Sequence, residues 1–554
     1  MDNKNMMLAV VLSMVILLAY TTFIAPPPEK SPAQVASQKQ AQSAAQPATP
    51  AASPAAPSAT AQTAGPAPAA PVVGQAPDVV VNTPLYRAVF SQKGGSLRRV
   101  ILKKFTQQPK GQGGEYVLLD LTGNDPYSLS LGLPGVDPAL DKRFYESNLK
   151  ELSLAPGNAP QSLVFKTQSA GVTVVKTYTF KPDTYAFELK VSLTNQSGQN
   201  LELTPELSLS EHSEKYKIND YAFTGMLAWR DRRLVEESYS DLEKKPVASG
   251  QIQWMAMSIP YFMGAVAPLG NEGQPLKRSV RGQTDKSVMT ATLVEPASSL
   301  APGQEVSQAY LVYYGPRDLE LLEPLGHDLD RAVDFGYLDI MAKPMLAAMN
   351  FFERHLGNYG IAIIIITILI KILFWPLSQK SYKSMKKMQE LQPMMAKLRE
   401  RYKDDKAKQQ QELMQLYKTY KVNPMGGCLP MVLQIPVFIA FYKVLGACIE
   451  LRHAPFFLWM NDLSAPDRLP IGFDIPYVGN GIPVLTLLMG ASMFIQQKMT
   501  PSTGDPTQAK MMLFLPVVFT FMFINFPSGL VLYWFINNIL SIGQQYWTNQ
   551  QRAK

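Results

Sequence analysis

Cysteine is nearly absent from this chain. Only Cys428 and Cys448 occur among 554 residues, twenty positions apart in one apolar run, which is about 30 Å if that run is helical. They cannot bridge each other, so a disulfide framework and a cysteine–zinc cluster are both excluded. Histidine is equally sparse, with His212, His327, His355 and His453 scattered along the chain. No HExxH, GxSxG or phosphate-binding loop is present, which removes the hydrolase and nucleotide-driven classes that those motifs mark. Neither cofactor nor metal is expected. The formal charge of +8 is modest, and its distribution matters more than its size.

What is present is long apolar runs. Residues 6–24 are broken only by Ser13 and two threonines, and about twenty such residues span a bilayer. Asp2 beside Lys4, and Phe23-Ile24-Ala25 in place of Ala-x-Ala, favour a retained anchor (residues 1–25) over a cleaved signal peptide. Residues 26–77 are almost all Ala, Pro, Ser, Gln and Thr. They cannot bury enough apolar area to fold and read as a disordered tether.

From 78 to 335 the pattern turns to strands. In residues 185–194 (YAFELKVSLT), Tyr185, Phe187, Leu189, Val191 and Leu193 share one face, a period of two that marks a half-buried strand. Leu201, Leu203, Leu207 and Leu209 repeat it after an Asn-Gln-Ser-Gly turn, and residues 308–314 read the same way. A segment of this size built from such strands is a large all-β sandwich. Its cluster Glu211-His212-Ser213-Glu214 reads as loop polarity without catalytic spacing.

Over 336–356 the period changes again. Leu338, Met341, Met345, Met349, Phe352 and Leu356 step by three and four, an amphipathic helix. It either lies flat in a membrane interface or packs on the β domain. Five apolar spans follow, at 356–377, 429–451, 482–499, 511–526 and 530–547, within a core of 357–548 that leaves a short tail at 549–554. With the first anchor the fold is a polytopic α-helical membrane protein of six spans carrying the β sandwich. Segment 378–421 holds twelve Lys or Arg, and 449–480 only Arg452 and Arg468. The positive-inside rule therefore puts the first in the cytoplasm and the second outside. Alternation then places both termini inside and the β domain across the membrane.

The cytoplasmic segment 378–422 is itself patterned. Met385, Met388, Leu391, Met395, Leu398 and Tyr402 form one stripe, and Leu413, Leu416, Tyr417 and Tyr420 another, giving a helical hairpin. Asp404-Asp405 offers a cap to its second helix, and Pro393 is expected to kink the first. Its methionines suit a surface meeting varied partners, its lysines suit anionic lipid, and its stripes could equally pack on each other.

Within the spans one residue stands out. Lys371 lies six residues before Leu377, about 9 Å from the end of its span. Snorkelling would lower its cost; a water-filled recess would serve as well. No span carries an interior Asp or Glu to pair with it, whereas Thr367, Gln434, Gln496, Gln497, Asn525, Asn537, Asn538 and Ser541 bring neutral polarity, the last three just after Tyr533-Trp534. A secondary transporter would also hold an intramembrane lysine but should show repeated halves, and none is found. An intramembrane enzyme would need a serine placed to meet Lys371; none is clearly so placed, with Ser541 left open.

Residues 423–430 (NPMGGCLP) with Gln434-Ile-Pro436, residues 454–459 (APFFLW) followed by Asp462-Leu-Ser, and residues 526–534 (FPSGLVLYW) resemble the YidC membrane protein insertase family. The resemblance runs through nearly the whole chain in the order of the Gram-negative form. It implies a periplasmic β-supersandwich without established enzymatic role, and a five-helix insertase core in the inner membrane. It implies a polar groove open to cytoplasm and lipid, and insertion and folding of newly made membrane proteins, alone or beside the Sec translocon. Lys371 matches the positive groove residue, where many relatives carry arginine; Tyr533 and Trp534 match the aromatic pair of the last span. Lysine keeps the charge but lacks the planar fork of a guanidinium. Groove contacts are thus expected at Lys371, Thr367, Gln434, Tyr533, Trp534 and Asn537, and recruitment at Met385, Met388, Met395, Tyr402 and Leu416. The expected partners are nascent membrane proteins, the Sec translocon, the ribosome and membrane lipids, without sequence-specific nucleic acid.

Overall fold

The computed structural model describes residues 77–109, 113–212, 223–238, 247–270, 277–285, 288–420, 422, 429–476, 478–500 and 506–550. The expected anchor 1–25, tether residues 26–76, the run 423–428 and residues 551–554 lie outside them.

The β region is a sandwich. Strands β1 (Asp78–Asn82), β2 (Tyr86–Ser91), β3 (Ser96–Thr106) and β4 (Glu115–Asp120) join Glu151–Ser153 in a five-stranded sheet. It packs on a thirteen-stranded sheet whose middle holds β5 (Val172–Phe180), β6 (Ala186–Asn195), β7 (Phe262–Leu269) and β8 (Glu305–Pro316). The alternation expected at 185–194 is realised: Phe187, Leu189, Val191 and Leu193 are buried in β6, while Glu188 and Lys190 are exposed. Residues 308–314 fall inside β8, antiparallel to β6 with Leu189 opposite Tyr310. Period-two burial gives each strand one apolar face, and the two sheets close on those faces. Phe90 of β2 marks the contact, with its ring 4.7 Å from that of Tyr178 and 6.3 Å from that of Phe187. Glu211 and His212 differ from the expected loop: they end the strand Glu206–His212, with Glu211 buried. Ser213 and Glu214 lie outside the described residues.

Lys176 is the most deeply buried of the charged side chains inside this sandwich. Lys176 on β5 is fully buried, and its Nζ donates to the carbonyls of Gly94 and Leu129 at 2.8 Å each and of Gly95 at 3.3 Å. Three acceptors match the three donors of an ammonium group, so Lys176 ties the β2–β3 turn and the 129 corner to the larger sheet.

The helical region begins at α1 (Asp339–Leu356). Gly357, left-handed at φ 65°, ends it, and Asn358 caps α2 (Tyr359–Leu373) by accepting from the Ile361 amide. Then come α3 (Trp375–Glu390), α4 (Gln392–Arg401), α5 (Lys406–Thr419), α6 (Leu429–Ala447), α7 (Val484–Met499), α8 (Pro506–Phe523) and α9 (Ser528–Gln550). Helix α9 packs on α2 and α7, α7 on α8, and α1 on α2 and α6. The apolar stripe of α1 is thus covered by the helical core, with Ala342, Met345, Leu346 and Met349 buried. Leu356, expected on that stripe, is exposed, as are Ile340 and Phe351.

Among the described residues no single helix is both long and apolar enough to cross a membrane alone; α2 and α3 are so together, across a 62° bend. Pro376 accounts for the bend, since it lacks the N–H that Ile372 would otherwise receive. Outward faces nonetheless carry large apolar side chains, among them Ile372 and Leu373 on α2, Ile435 on α6, Leu487 and Ile495 on α7, Phe514 and Phe521 on α8 and Ile539 on α9. Water does not tolerate apolar surface of that extent.

The two regions meet through Arg452. Its guanidinium sits 4.8 Å from the Tyr116 ring and 5.5 Å from that of Phe262, and donates to the Thr106 carbonyl at 2.9 Å.

Burial pushes the Lys176 pKa down to about 7. The unfolded chain holds that proton up to about pH 10.4, so between these values it binds more protons than the folded chain, and stability rises with pH. The contribution is complete above the upper limit and lost as pH falls through 7. Thermal unfolding of the protein in detergent at pH 6 and pH 9 is expected to show this gain, and Lys176→Met to lack it. Equal pH dependence in the two proteins would contradict the assignment.

Candidate functional site

The polar site is built on the facing sides of α2 and α9. Tyr533, Asn537 and Ser541 are spaced four apart on α9 and so share one face. Opposite them, the half-buried Lys371 on α2 donates from Nζ to Asn537 Oδ1 at 3.2 Å and to Ser541 Oγ at 2.6 Å. Both acceptors are neutral. They solvate the ammonium without cancelling its charge.

One turn away from Asn537, Tyr533 is buried, stacks on Phe441 of α6 at 4.4 Å, and receives a hydrogen bond from Gln434 Nε2. Gln434 and Tyr533 therefore join α6 to α9 at the head of the same polar face. Below Lys371 the face continues through the buried Gln544, whose Nε2 reaches the Trp375 carbonyl at 3.5 Å. Asn538, on the adjacent side, donates to Ser492 Oγ at 3.0 Å and ties α9 to α7. Gly490 lets α8 close on α7, because a Cβ there would strike the Thr520 side chain.

Two of the expected contacts stand apart. Thr367 lies one turn from Lys371, but it is buried and its hydroxyl donates to the Ile363 carbonyl at 2.6 Å. Trp534 points into an aromatic cluster, 4.9 Å from Phe438 and 5.4 Å from Phe523. Ser541, which sequence reading left unplaced, is the nearest polar partner of Lys371. The signal was its i+4 spacing from Asn537, but only the position of α2 shows what that face meets. Ser541 donates its own hydrogen to the Asn537 carbonyl at 2.7 Å. A serine nucleophile would instead donate to its base.

The hairpin is α3, α4 and α5. Asp405 caps α5 as expected, accepting from the Lys408 amide. The first arm breaks at Leu391, with Pro393 in the first turn of α4. Met388 and Met395 differ from the expected recruiting surface: they are buried with Leu391 and Val422, and Leu413, Leu416 and Tyr417 pack against them. Two short amphipathic helices cover each other's stripes before anything else can. Met385 and Tyr402 are half-buried, and Met394, Met414 and Tyr420 are exposed.

The loop between α6 and α7 is pinned beside this core. Phe456 lies over Gly360, where a Cβ would collide with its ring. Asp467 is buried and accepts from Trp459 Nε1 at 2.7 Å and from the Leu485 and Thr486 amides at 2.5 and 3.2 Å, holding the start of α7.

Comparison with known proteins follows the same division. A family model described as "60Kd inner membrane protein" matches residues 351–554, and one described as "YidC periplasmic domain" matches 78–348. "Membrane protein insertase YidC" of Syntrophus aciditrophicus (strain SB) is 42% identical, covering 99% of this chain and 100% of the relative. The protein of the same name from Geobacter metallireducens is 41% identical, covering 100% and 99%. A crystal structure titled as an active YidC insertase with the first transmembrane domain resolved covers 86% of this chain and 93% of its own, at 18% identity and a TM-score of 0.38.

The geometry predicts different reactivity at neighbouring positions. In intact membranes, with Cys428 replaced by serine, Lys371→Cys is expected to react with a hydrophilic maleimide. Thr367→Cys, at a site 1% exposed, is expected to stay unlabelled. An unreactive thiol at 371 would mean that the face is dry.

Proposed function

The chain belongs to the YidC membrane protein insertase family, and on that premise we propose that the Lys371 face is where it receives the polar flank of a newly made membrane protein. The observation that carries this reading is an ammonium that, among the described residues, is held between apolar helices by neutral acceptors alone. Its charge is solvated yet uncompensated, and it favours an anionic guest.

The six spans, with both termini in the cytoplasm and a groove open to cytoplasm and lipid, complete the proposal. The outward apolar faces of α2, α6, α7, α8 and α9 support it, as does the concentration of Lys and Arg in the hairpin. The exposed Ile340 and Phe351 support an interfacial position for α1. A nascent apolar segment first meets the hairpin through exposed residues such as Met394 and Met414, and lipid headgroups meet its lysines. The acidic flank then enters beside Lys371, which shortens its path through hydrocarbon. The apolar segment moves sideways into lipid, driven by about 25 cal/mol for each Å² removed from water. The membrane potential adds about 2.3 kcal/mol per charge per 100 mV. This work forms and breaks no covalent bond, so we read the protein as an insertase and folding helper rather than an enzyme. The Sec translocon and the ribosome are the partners proposed for the exposed hairpin and core.

In reconstituted vesicles, Lys371→Ala is expected to slow insertion of acid-flanked substrates about tenfold, the worth of one charge-assisted hydrogen bond. Lys371→Arg is expected to retain the rate. Wild-type insertion by Lys371→Ala across such substrates would remove Lys371 from the mechanism.

A further inference from the structure

Lysine is a long side chain with a compact charge, and its rotamer freedom must be lost before it can hold a carboxylate in one place. Here that freedom is already restricted. Asn537 Oδ1 and Ser541 Oγ, on successive turns of α9, both accept from Lys371 Nζ. The Ser541 hydrogen is committed to the Asn537 carbonyl at 2.7 Å, which leaves its lone pairs for the ammonium. Tyr382 of α3 also hydrogen-bonds Ser541, and Ser541 is 2% exposed. The hydroxyl is therefore held from its own helix and from α3 while it accepts from α2.

We propose that Ser541 is a positioning residue for insertion, fixing the Lys371 ammonium against α9 at the place where an acidic flank docks. This rests on the reading of Lys371 given above. A guanidinium carries its donors in a rigid fork; with lysine, Ser541 and Asn537 supply that geometry from outside the side chain. The ammonium has three donors, and two are engaged by this pair, so a guest carboxylate meets a charge already aimed and still uncompensated.

The test uses the full chain in vesicles and a single-span probe protein whose flank carries either two Asp or two Asn. Ser541→Ala is expected to raise the half-saturating concentration of the Asp-flanked probe about fivefold, the effect of one ordinary hydrogen bond. Its maximal rate, and insertion of the Asn-flanked probe, are expected to stay at the wild-type value. In a Lys371→Arg background the same substitution is expected to have little effect. Equal losses on both flanks would show a packing defect and overturn the proposal, as would a fivefold effect that persists with arginine at 371. Selective loss with Lys371→Ala but none with Ser541→Ala would overturn this inference alone. No loss with Lys371→Ala would overturn the reading beneath it.

Discussion

An ammonium group among apolar helices must be solvated by something, and the arrangement around Lys371 is organised by that requirement. Hydrocarbon offers no acceptor, and a charge near the middle of a span costs about 2.5–3.5 kcal/mol on insertion scales. The chain meets the requirement with a hydroxyl and an amide oxygen from α9 rather than with a carboxylate. A fixed carboxylate would have neutralised the site and left nothing for a guest. Neutral acceptors leave the charge uncompensated, which distinguishes the proposed receiving site from a structural ion pair.

The surrounding helices follow from the same demand. Tyr533, Asn537 and Ser541 must keep one face, so α9 runs as one helix from Ser528 to Gln550. Helix α2, by contrast, ends at Leu373, two residues beyond the lysine, and the chain turns by 62° into α3. That turn brings Tyr382 and the Trp375 carbonyl back to the polar face. On the other side, the loop between α6 and α7 is made stiff by Asp467 and by Phe456 over Gly360. Arg452 then fastens the β sandwich to that loop by cation–π contact and a carbonyl bond, interactions that strengthen as they are desolvated.

Much of this was legible beforehand. Period-two burial in β6, the cap at Asp405 and the neutral polarity of Asn537, Asn538 and Ser541 in the last span are local properties, and the local sequence reports them well. Two kinds of expectation departed from the structure. Thr367 shares a face with Lys371, yet its hydroxyl is taken by its own backbone, the usual alternative for a threonine inside a helix. Met388 and Met395 have the stripe of a recruiting surface, but the nearest apolar surface is the other arm of the same hairpin, and they are buried there. A stripe states that a face will be covered, not by what.

The sequence by itself determined the division into a β sandwich and a helical core, because hydrophobic period follows from the geometry of single elements. It also determined that Lys371 would lie among apolar residues with no acid in its own span to answer it. Only the tertiary structure decided which neutral groups answer that charge. Lys371 and Ser541 are 170 residues apart, and no periodicity relates them; their meeting is set by how α2 and α9 pack.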